Sequence, residues 1–209
     1  MLKHLKISTR LAGTLALLLA LLLAVAGMSL WQMAVMRSVT ETITGDWLPS
    51  VEVVNQMNTA YANFRIKEYK HVLNTDESAN AAIEKEMDDV RAGLEKLRSA
   101  YVPLISNEDE RRRYAAFTAD WTQYLRVHDQ VLALSRKNEN DEARALLKGE
   151  SFKLFSRASE TLTKLVDLNS EGAKASTQEA DAAYLAARNT LIGAVASAMA
   201  LVVASAIWL

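Results

Sequence analysis

Two long segments without a charged residue lie near the ends of this 209-residue chain, one from Leu11 to Met36 and one from Asn189 to Leu209. As helices rising about 1.5 Å per residue, they would be about 39 and 32 Å long. Both lengths exceed the hydrocarbon core of a bilayer, which is about 30 Å thick. The sequence therefore predicts transmembrane helices over 11–36 and 189–209, with a polar segment at 37–188 between them.

The charges before the first apolar segment predict its orientation. Lys3, Lys6 and Arg10 precede it, and no acidic residue stands among them. Basic residues next to a span stay on the cytoplasmic side. We therefore expect residues 1–10 to be cytoplasmic and residues 37–188 to lie on the opposite side of the membrane.

A cleaved signal peptide is the alternative interpretation of the first segment. Ala24-Val25-Ala26 before Gly27 resembles a cleavage site between small residues. The apolar run continues past these residues, however, beyond the roughly 7–15 residues of a signal-peptide core. A second span near the other end also favours a pair of anchors, so we predict an uncleaved helix. We further expect this chain to be the front half of a longer protein.

Apolar spacing within 37–188 predicts four helices. The chain has 7 Gly and 2 Pro, too few for the many turns of a β-sandwich. Inward positions recur at alternating steps of three and four, in runs starting at Ile43, Ile83, Tyr114 and Phe152. Short polar connections at 74–77 and 137–141 make successive helices antiparallel. We predict an all-α fold, an antiparallel up-down-up-down four-helix bundle, with local breaks near Pro49 and Gly149.

Composition argues against several classes of function. A net charge of −1 gives no basic surface for nucleic acid, and the absence of cysteine excludes thiolate chemistry. No nucleophile–base pair or paired catalytic carboxylates stand out, so we do not expect an enzyme. We expect no cofactor and no metal, because His71 and His128 at inward positions are typical of core histidines.

One level of the bundle is crowded with polar and aromatic residues, and we interpret it as a ligand site. Arg65, one position after the inward Phe64, could hold a ligand carboxylate with its planar guanidinium. The alternative is that Arg65 pairs with Glu68, three residues on, and that the aromatic residues are ordinary core. The predicted ligand-binding residues are Tyr61, Arg65, His71, Tyr124, His128, Phe155 and Ser159.

The order of elements resembles the sensor half of a bacterial chemoreceptor, a methyl-accepting chemotaxis protein with a four-helix-bundle ligand-binding domain. The segments that carry the resemblance are KISTRL at 6–11, DWLPS at 46–50, NFR at 63–65, WTQY at 121–124 and LVDLN at 165–169. It implies a homodimer in the bacterial inner membrane, with a periplasmic domain that binds a small ligand. Helix-one arginines commonly bind the ligand carboxylate in this family, and Arg65 is the position that fits.

The resemblance also implies how the signal leaves the domain. A movement of the fourth helix and second span would reach cytoplasmic signalling domains, which couple to a kinase and an adaptor. Lys67, Lys70 and His71 follow Arg65 in place of the further arginines of aspartate sensors, which favours a di- or tricarboxylate over an amino acid. Two alternatives stay open: the input half of a histidine kinase or cyclase, and a membrane-anchored coiled coil without a ligand.

Overall fold

The computed structural model describes residues 7–208, and within them it contains helices and no strand. The α-helices are α1 Ile7–Thr42, α2 Leu48–Leu73, α3 Glu77–Tyr101, α4 Glu108–Arg136, α5 Asn140–Leu146 and α6 Phe152–Trp208. A first π-turn covers Ile43–Trp47, a second covers Leu147–Ser151, and Val102–Leu104 form a 3₁₀ turn. The all-α prediction is confirmed, while residues 1–6 of the predicted cytoplasmic segment lie outside the described residues.

The chain divides into two compact units, one formed by residues up to 43 together with those from 174 onward, the other by residues 44–173. In the first unit, two helices are long and apolar enough to cross a membrane, and their apolar windows have no buried residue. A wholly apolar groove of about 480 Å³ runs between leucines and valines of both helices. The predicted span boundaries at 36/37 and 188/189 remain predictions.

The second unit is a four-helix bundle. Its helices are α2, α3, α4 and the segment that runs through α5 and the second π-turn into α6. Short connections make successive helices antiparallel, so α2 and α4 run in the same direction. The core joins all four, with Met57, Leu94, Trp121 and Leu162 among its fully packed residues. The predicted bundle is confirmed.

Side-chain caps fix where two of the helices begin. Asp76 accepts a hydrogen bond from the backbone N–H of Ala79 at 3.0 Å, and Asn107 accepts one from Glu110 at 2.9 Å. Each satisfies a backbone donor that the first turn of a helix leaves unpaired. Asp76 lies in the polar connection predicted at 74–77, and Asn107 caps α4 in the same way, so local chemistry sets both boundaries.

The two π-turns fall where the sequence predicted breaks, one before Pro49 and one around Gly149. The second turn also changes which face of the following helix points inward. Phe152, predicted as an inward residue, is 52% exposed, and that prediction is wrong. Ser151 and Leu154 are buried instead, because the wider turn directs Ser151 towards α2, where it binds Arg65.

Candidate functional site

A buried carboxylate, Glu68 of α2, is the centre of the polar level that the sequence predicted. Its side chain is 0% exposed. It accepts three hydrogen bonds: from Arg65 Nη1 at 2.6 Å, from the Tyr124 hydroxyl at 2.6 Å, and at 2.8 Å from Nδ1 of His128. Burial opposes ionisation, but the hydrogen bonds from His128 and Tyr124 and the charge of Arg65 outweigh it, so the pKa of Glu68 is lowered. Glu68 is therefore a buried anion.

Arg65 is held from both sides by the protein itself. Besides Glu68, its guanidinium donates to the Ser151 hydroxyl at 2.5 Å and to the carbonyl oxygen of Leu147 at 2.6 Å. These two acceptors are the first and last residues of the second π-turn, a feature frequent at functional sites. The carboxylate position that we predicted for a ligand is thus occupied by Glu68, the pairing that the sequence left open as the alternative.

Aromatic rings pack around this ion pair. Tyr61 stacks on Phe155 with centroids 4.9 Å apart and planes 7° apart, and it meets Tyr124 edge-on at 5.7 Å. The Phe64 and His128 rings are in contact, with their centroids 4.7 Å apart. The rings exclude water, which strengthens each charged hydrogen bond inside them. We call Arg65, Glu68, Tyr124 and His128 the Glu68 cluster.

His71 lies one helical turn further along α2 and links three helices. Nδ1 is 2.9 Å from the Ser135 hydroxyl of α4, and Nε2 is 3.0 Å from Glu84 Oε1 of α3. Burial lowers the pKa of His71 against the opposing effect of Glu84, which favours the neutral ring. We assign its proton to Nε2, facing the Glu84 carboxylate, so that Nδ1 and the His71 carbonyl oxygen, 2.9 and 3.2 Å from the Ser135 hydroxyl, share the proton of that hydroxyl.

A polar cavity of about 290 Å³ opens above His71 at the end of the bundle where α2 joins α3. One wall is the ion pair of Glu84 with Arg136, which donates from Nε at 2.8 Å and from Nη2 at 2.6 Å. The Arg136 side chain remains 57% exposed. We call this space the tip cavity; its lining residues are Thr75, Glu77, Asn80, Ala81, Glu84, Ser135, Arg136 and Asn138.

The structure brings together six of the seven predicted site residues. Tyr61, Arg65, His71, Tyr124, His128 and Phe155 lie in or directly beside the cluster. Ser159 is half-buried one turn after Phe155, and none of the hydrogen bonds described in residues 7–208 joins its hydroxyl to the cluster. The roles of all seven residues as ligand contacts remain predictions.

Sequence reasoning missed the residues that complete this site. Glu84 and Arg136 directly follow inward positions of their helices, where charged surface residues are common, and Ser151 directly precedes Phe152, which the spacing had assigned to the core. One signal was available, since Gly149 indicated an irregular turn that could redirect Ser151. Among the described residues, no group of three or more His, Asp or Glu side chains could hold a metal ion.

The chain is similar to known sensory proteins. A family model described as a four helix bundle sensory module for signal transduction matches residues 4–184. The chain is also 25% identical over 181 residues to a protein of Bacillus subtilis (strain 168) named "Putative sensory transducer protein YvaQ". That match covers 87% of this chain and 32% of the relative, so the chain spans about a third of the length of the curated relative it matches.

Proposed function

The chain belongs to the family of four-helix-bundle sensory modules for signal transduction, and from this membership we propose that residues 37–188 are the periplasmic input domain of a bacterial chemoreceptor. In this proposal residues 11–36 and 189–209 cross the inner membrane, residues 1–10 are cytoplasmic, and the receptor is a homodimer. The two exposed apolar helices support the membrane anchoring. The sensory-transducer name of the relative supports a signalling output, and in this proposal that output passes through a cytoplasmic kinase and adaptor.

The Glu68 cluster is the observation that carries a sensing role. A buried ion pair contributes little net stability, because the cost of removing both charges from water offsets their attraction. Arg65 and Glu68 are nevertheless buried together, with partners on α4 and on the second π-turn before α6. We infer that the cluster is kept because it couples the positions of α2, α4 and α6.

The tip cavity is the proposed entry point for the ligand. Its volume of about 290 Å³ and its mostly polar lining suit a small organic acid or amino acid. A ligand carboxylate would compete with Glu84 for the exposed guanidinium of Arg136, since arginine binds carboxylates through two parallel hydrogen bonds.

The contacts of Glu84 give a route from the cavity to the cluster. Once Arg136 binds the ligand, Glu84 keeps His71 as its partner and draws the ring towards α3. His71 also contacts Ser135 of α4 and lies one turn from Glu68. The residues predicted from the sequence to bind the ligand would in this proposal respond to it through Glu84; they are Tyr61, Arg65, His71, Tyr124, His128, Phe155 and Ser159.

Ligand binding is tested by thermal unfolding of the full chain in lipid nanodiscs. The panel is the twenty amino acids together with succinate, malate and citrate. A compound that binds only the folded state stabilises it by RT ln(1 + [L]/Kd), about 2.7 kcal/mol at a hundredfold excess over Kd. Arg136→Gln should abolish the stabilisation, while Arg112→Gln, an exposed arginine paired with Asp109, should preserve it. No stabilisation by any compound would favour the ligand-free structural alternative.

The output class needs a separate experiment. The full chain is joined to the cytoplasmic part of a chemoreceptor, and kinase activity is measured with and without the stabilising compound. A ligand-dependent change supports the chemoreceptor proposal. A response only when the chain is joined to a histidine kinase or cyclase output would favour that alternative.

A further inference from the structure

A second set of buried polar side-chain atoms lies at the other end of the bundle, where α3 ends and α4 begins. We call Trp47, Ser50, Tyr101, Glu110 and Asn169 the Asn169 layer. Tyr101 donates to Glu110 at 2.5 Å, and the same hydroxyl accepts from Asn169 Nδ2 at 3.1 Å. Glu110 also accepts from the backbone N–H of Ser106 at 2.9 Å. Tyr101 and Glu110 are therefore fixed by their own connection, and Asn169 of α6 is attached to them.

The α2 side of the layer is not satisfied in this way. Trp47 Nε1, Ser50 Oγ and Asn169 Oδ1 are buried atoms without a hydrogen-bond partner in the described structure. Ser50 is 0% and Asn169 is 1% exposed. Buried polar atoms are nearly always paired, so unpaired ones need an explanation. Trp47 Nε1 and Ser50 Oγ can donate a hydrogen bond and Asn169 Oδ1 can accept one, so the unpaired atoms are chemically complementary.

The packing of α2, and of the first π-turn that precedes it, against α6 places these atoms at neighbouring levels. The Trp47 ring lies directly against Gly172, where a Cβ atom would overlap it. The helices are antiparallel, because Tyr61 further along α2 stacks on Phe155 earlier in α6. Moving three residues forward from Trp47 and three back from Gly172 brings Ser50 opposite Asn169. The unpaired donors and the unpaired acceptor therefore share one helix pair.

We propose that the Asn169 layer is a two-position contact between α6 and the rest of the bundle. In the first position, the one described, Asn169 Nδ2 donates to the Tyr101 hydroxyl and to the carbonyl oxygen of Leu165 in its own helix. In the second, a small movement of α6 lets Asn169 Oδ1 accept from Ser50 or Trp47 and carries Nδ2 out of reach of the Tyr101 hydroxyl, from which it is 3.1 Å in the first position. Gly172 permits the movement, because no side chain at that residue obstructs the Trp47 ring. The contact exists independently of any ligand, and only its use in signalling rests on the proposed function.

The two positions predict opposite effects of two conservative variants. Ser50→Ala removes a partner of the second position and should favour the first. Tyr101→Phe removes the partner of the first position and should favour the second. The matched control is Tyr114→Phe. The Tyr114 and Tyr101 ring centroids are 5.4 Å apart, and the Tyr114 hydroxyl makes only a long hydrogen bond of 3.5 Å to the Arg98 carbonyl oxygen. This variant should leave the positions unchanged.

The measurement is the distance between α2 and α6 in the full chain in nanodiscs. The chain has no cysteine, so Glu52→Cys and Asp167→Cys, both exposed, accept spin labels at unique sites. We expect Ser50→Ala and Tyr101→Phe to shift the double electron–electron resonance distance distribution in opposite senses. Identical distributions, or shifts in the same sense, would overturn the proposal. Should Tyr101→Phe fail to fold, Asn169→Leu replaces it: adding Ser50→Ala to Asn169→Leu should produce no further shift, and a shift would equally overturn the proposal.

Discussion

Arg65 and Glu68 form an ion pair of 2.6 Å within one helix, with 5% and 0% of their side chains exposed. Each charge depends on the other, because neither reaches solvent. The pair also extends outward, since Arg65 contacts the turn before α6 and Glu68 contacts α4. A change in either charge therefore alters the contacts of α2 with α4 and with the turn before α6.

Glu68→Gln should be strongly destabilising. The substitution leaves the Arg65 charge buried without its counter-ion, a loss that typically costs about 3–5 kcal/mol. Urea unfolding of the full chain followed by far-ultraviolet circular dichroism measures it. The double variant Arg65→Met with Glu68→Met should lose less than Glu68→Gln alone, because no unpaired charge remains. A double variant as unstable as the single one would contradict this account.

Tyr124→Phe should cost about 1.5–3 kcal/mol, the range for hydrogen bonds to charged groups, because the hydroxyl donates to the buried Glu68 carboxylate at 2.6 Å. Tyr114→Phe is the matched comparison, since its hydroxyl lies 3.5 Å from the Arg98 carbonyl. We expect its effect to stay within about 0.5 kcal/mol. Equal losses in the two variants would mean that Tyr124 contributes only packing.

The free energy of unfolding should fall in two steps as the pH is lowered. Burial lowers the pKa of His71, so the folded state favours the neutral ring; this stability is present above the unfolded value of about 6.5 and is lost as pH falls through the folded pKa. The pKa of Glu68 is lowered too, so its contribution is present above about 4.3 and is lost at lower pH.

The melting temperature between pH 8 and pH 3 tests both steps. His71→Gln should remove the first decline and leave the second, which Glu68 and the Arg136-paired Glu84 produce. An unchanged first decline in His71→Gln would assign it to another group.

Gly172→Ala should destabilise the bundle although alanine is the better helix former. A methyl group there overlaps the Trp47 ring, and overpacking typically costs about 1–3 kcal/mol. Gly93→Ala in α3 is the control: its added Cβ meets no atom within 4 Å, and we expect a gain of about 0.5–1 kcal/mol. In a Trp47→Ala background, Gly172→Ala should become stabilising. A stabilising Gly172→Ala in the otherwise unchanged chain would show that the ring yields easily.

The proposed membrane topology predicts labelling of single cysteines. Ser78→Cys, exposed at the start of α3, should react with a membrane-impermeant maleimide from the periplasmic side. Lys3→Cys should react only after the membrane is permeabilised. Reversed accessibility, or a mature chain trimmed after Ala26, would reject the predicted topology.

The fold followed from the sequence where the apolar spacing was regular. Val54, Met57 and Tyr61 on α2, and Phe117 and Trp121 on α4, are buried as the three–four pattern requires. The pattern was misleading at Phe152, because a π-turn has no apolar signature and changes the inward face of the next helix.

The site was predicted in position but not in its internal pairing. Arg65 was identified because an arginine beside core residues needs an anion, yet periodicity does not tell whether that anion is a ligand or Glu68. The contact from His71 to Glu84 depends on how far α3 is displaced along α2, which side-chain packing decides. The spacing of apolar residues within one helix does not determine its offset along a neighbouring helix.

Trp121 is 1% exposed and stacks on Tyr124 with ring centroids 5.6 Å apart. Tyr124 in turn donates to Glu68, so the indole lies one side chain away from the buried negative charge. The colour of indole fluorescence follows the electric field and polarity around the ring. With the other three tryptophans replaced by phenylalanine, the intrinsic emission of this protein becomes a label-free optical record of the ionic state of its interior.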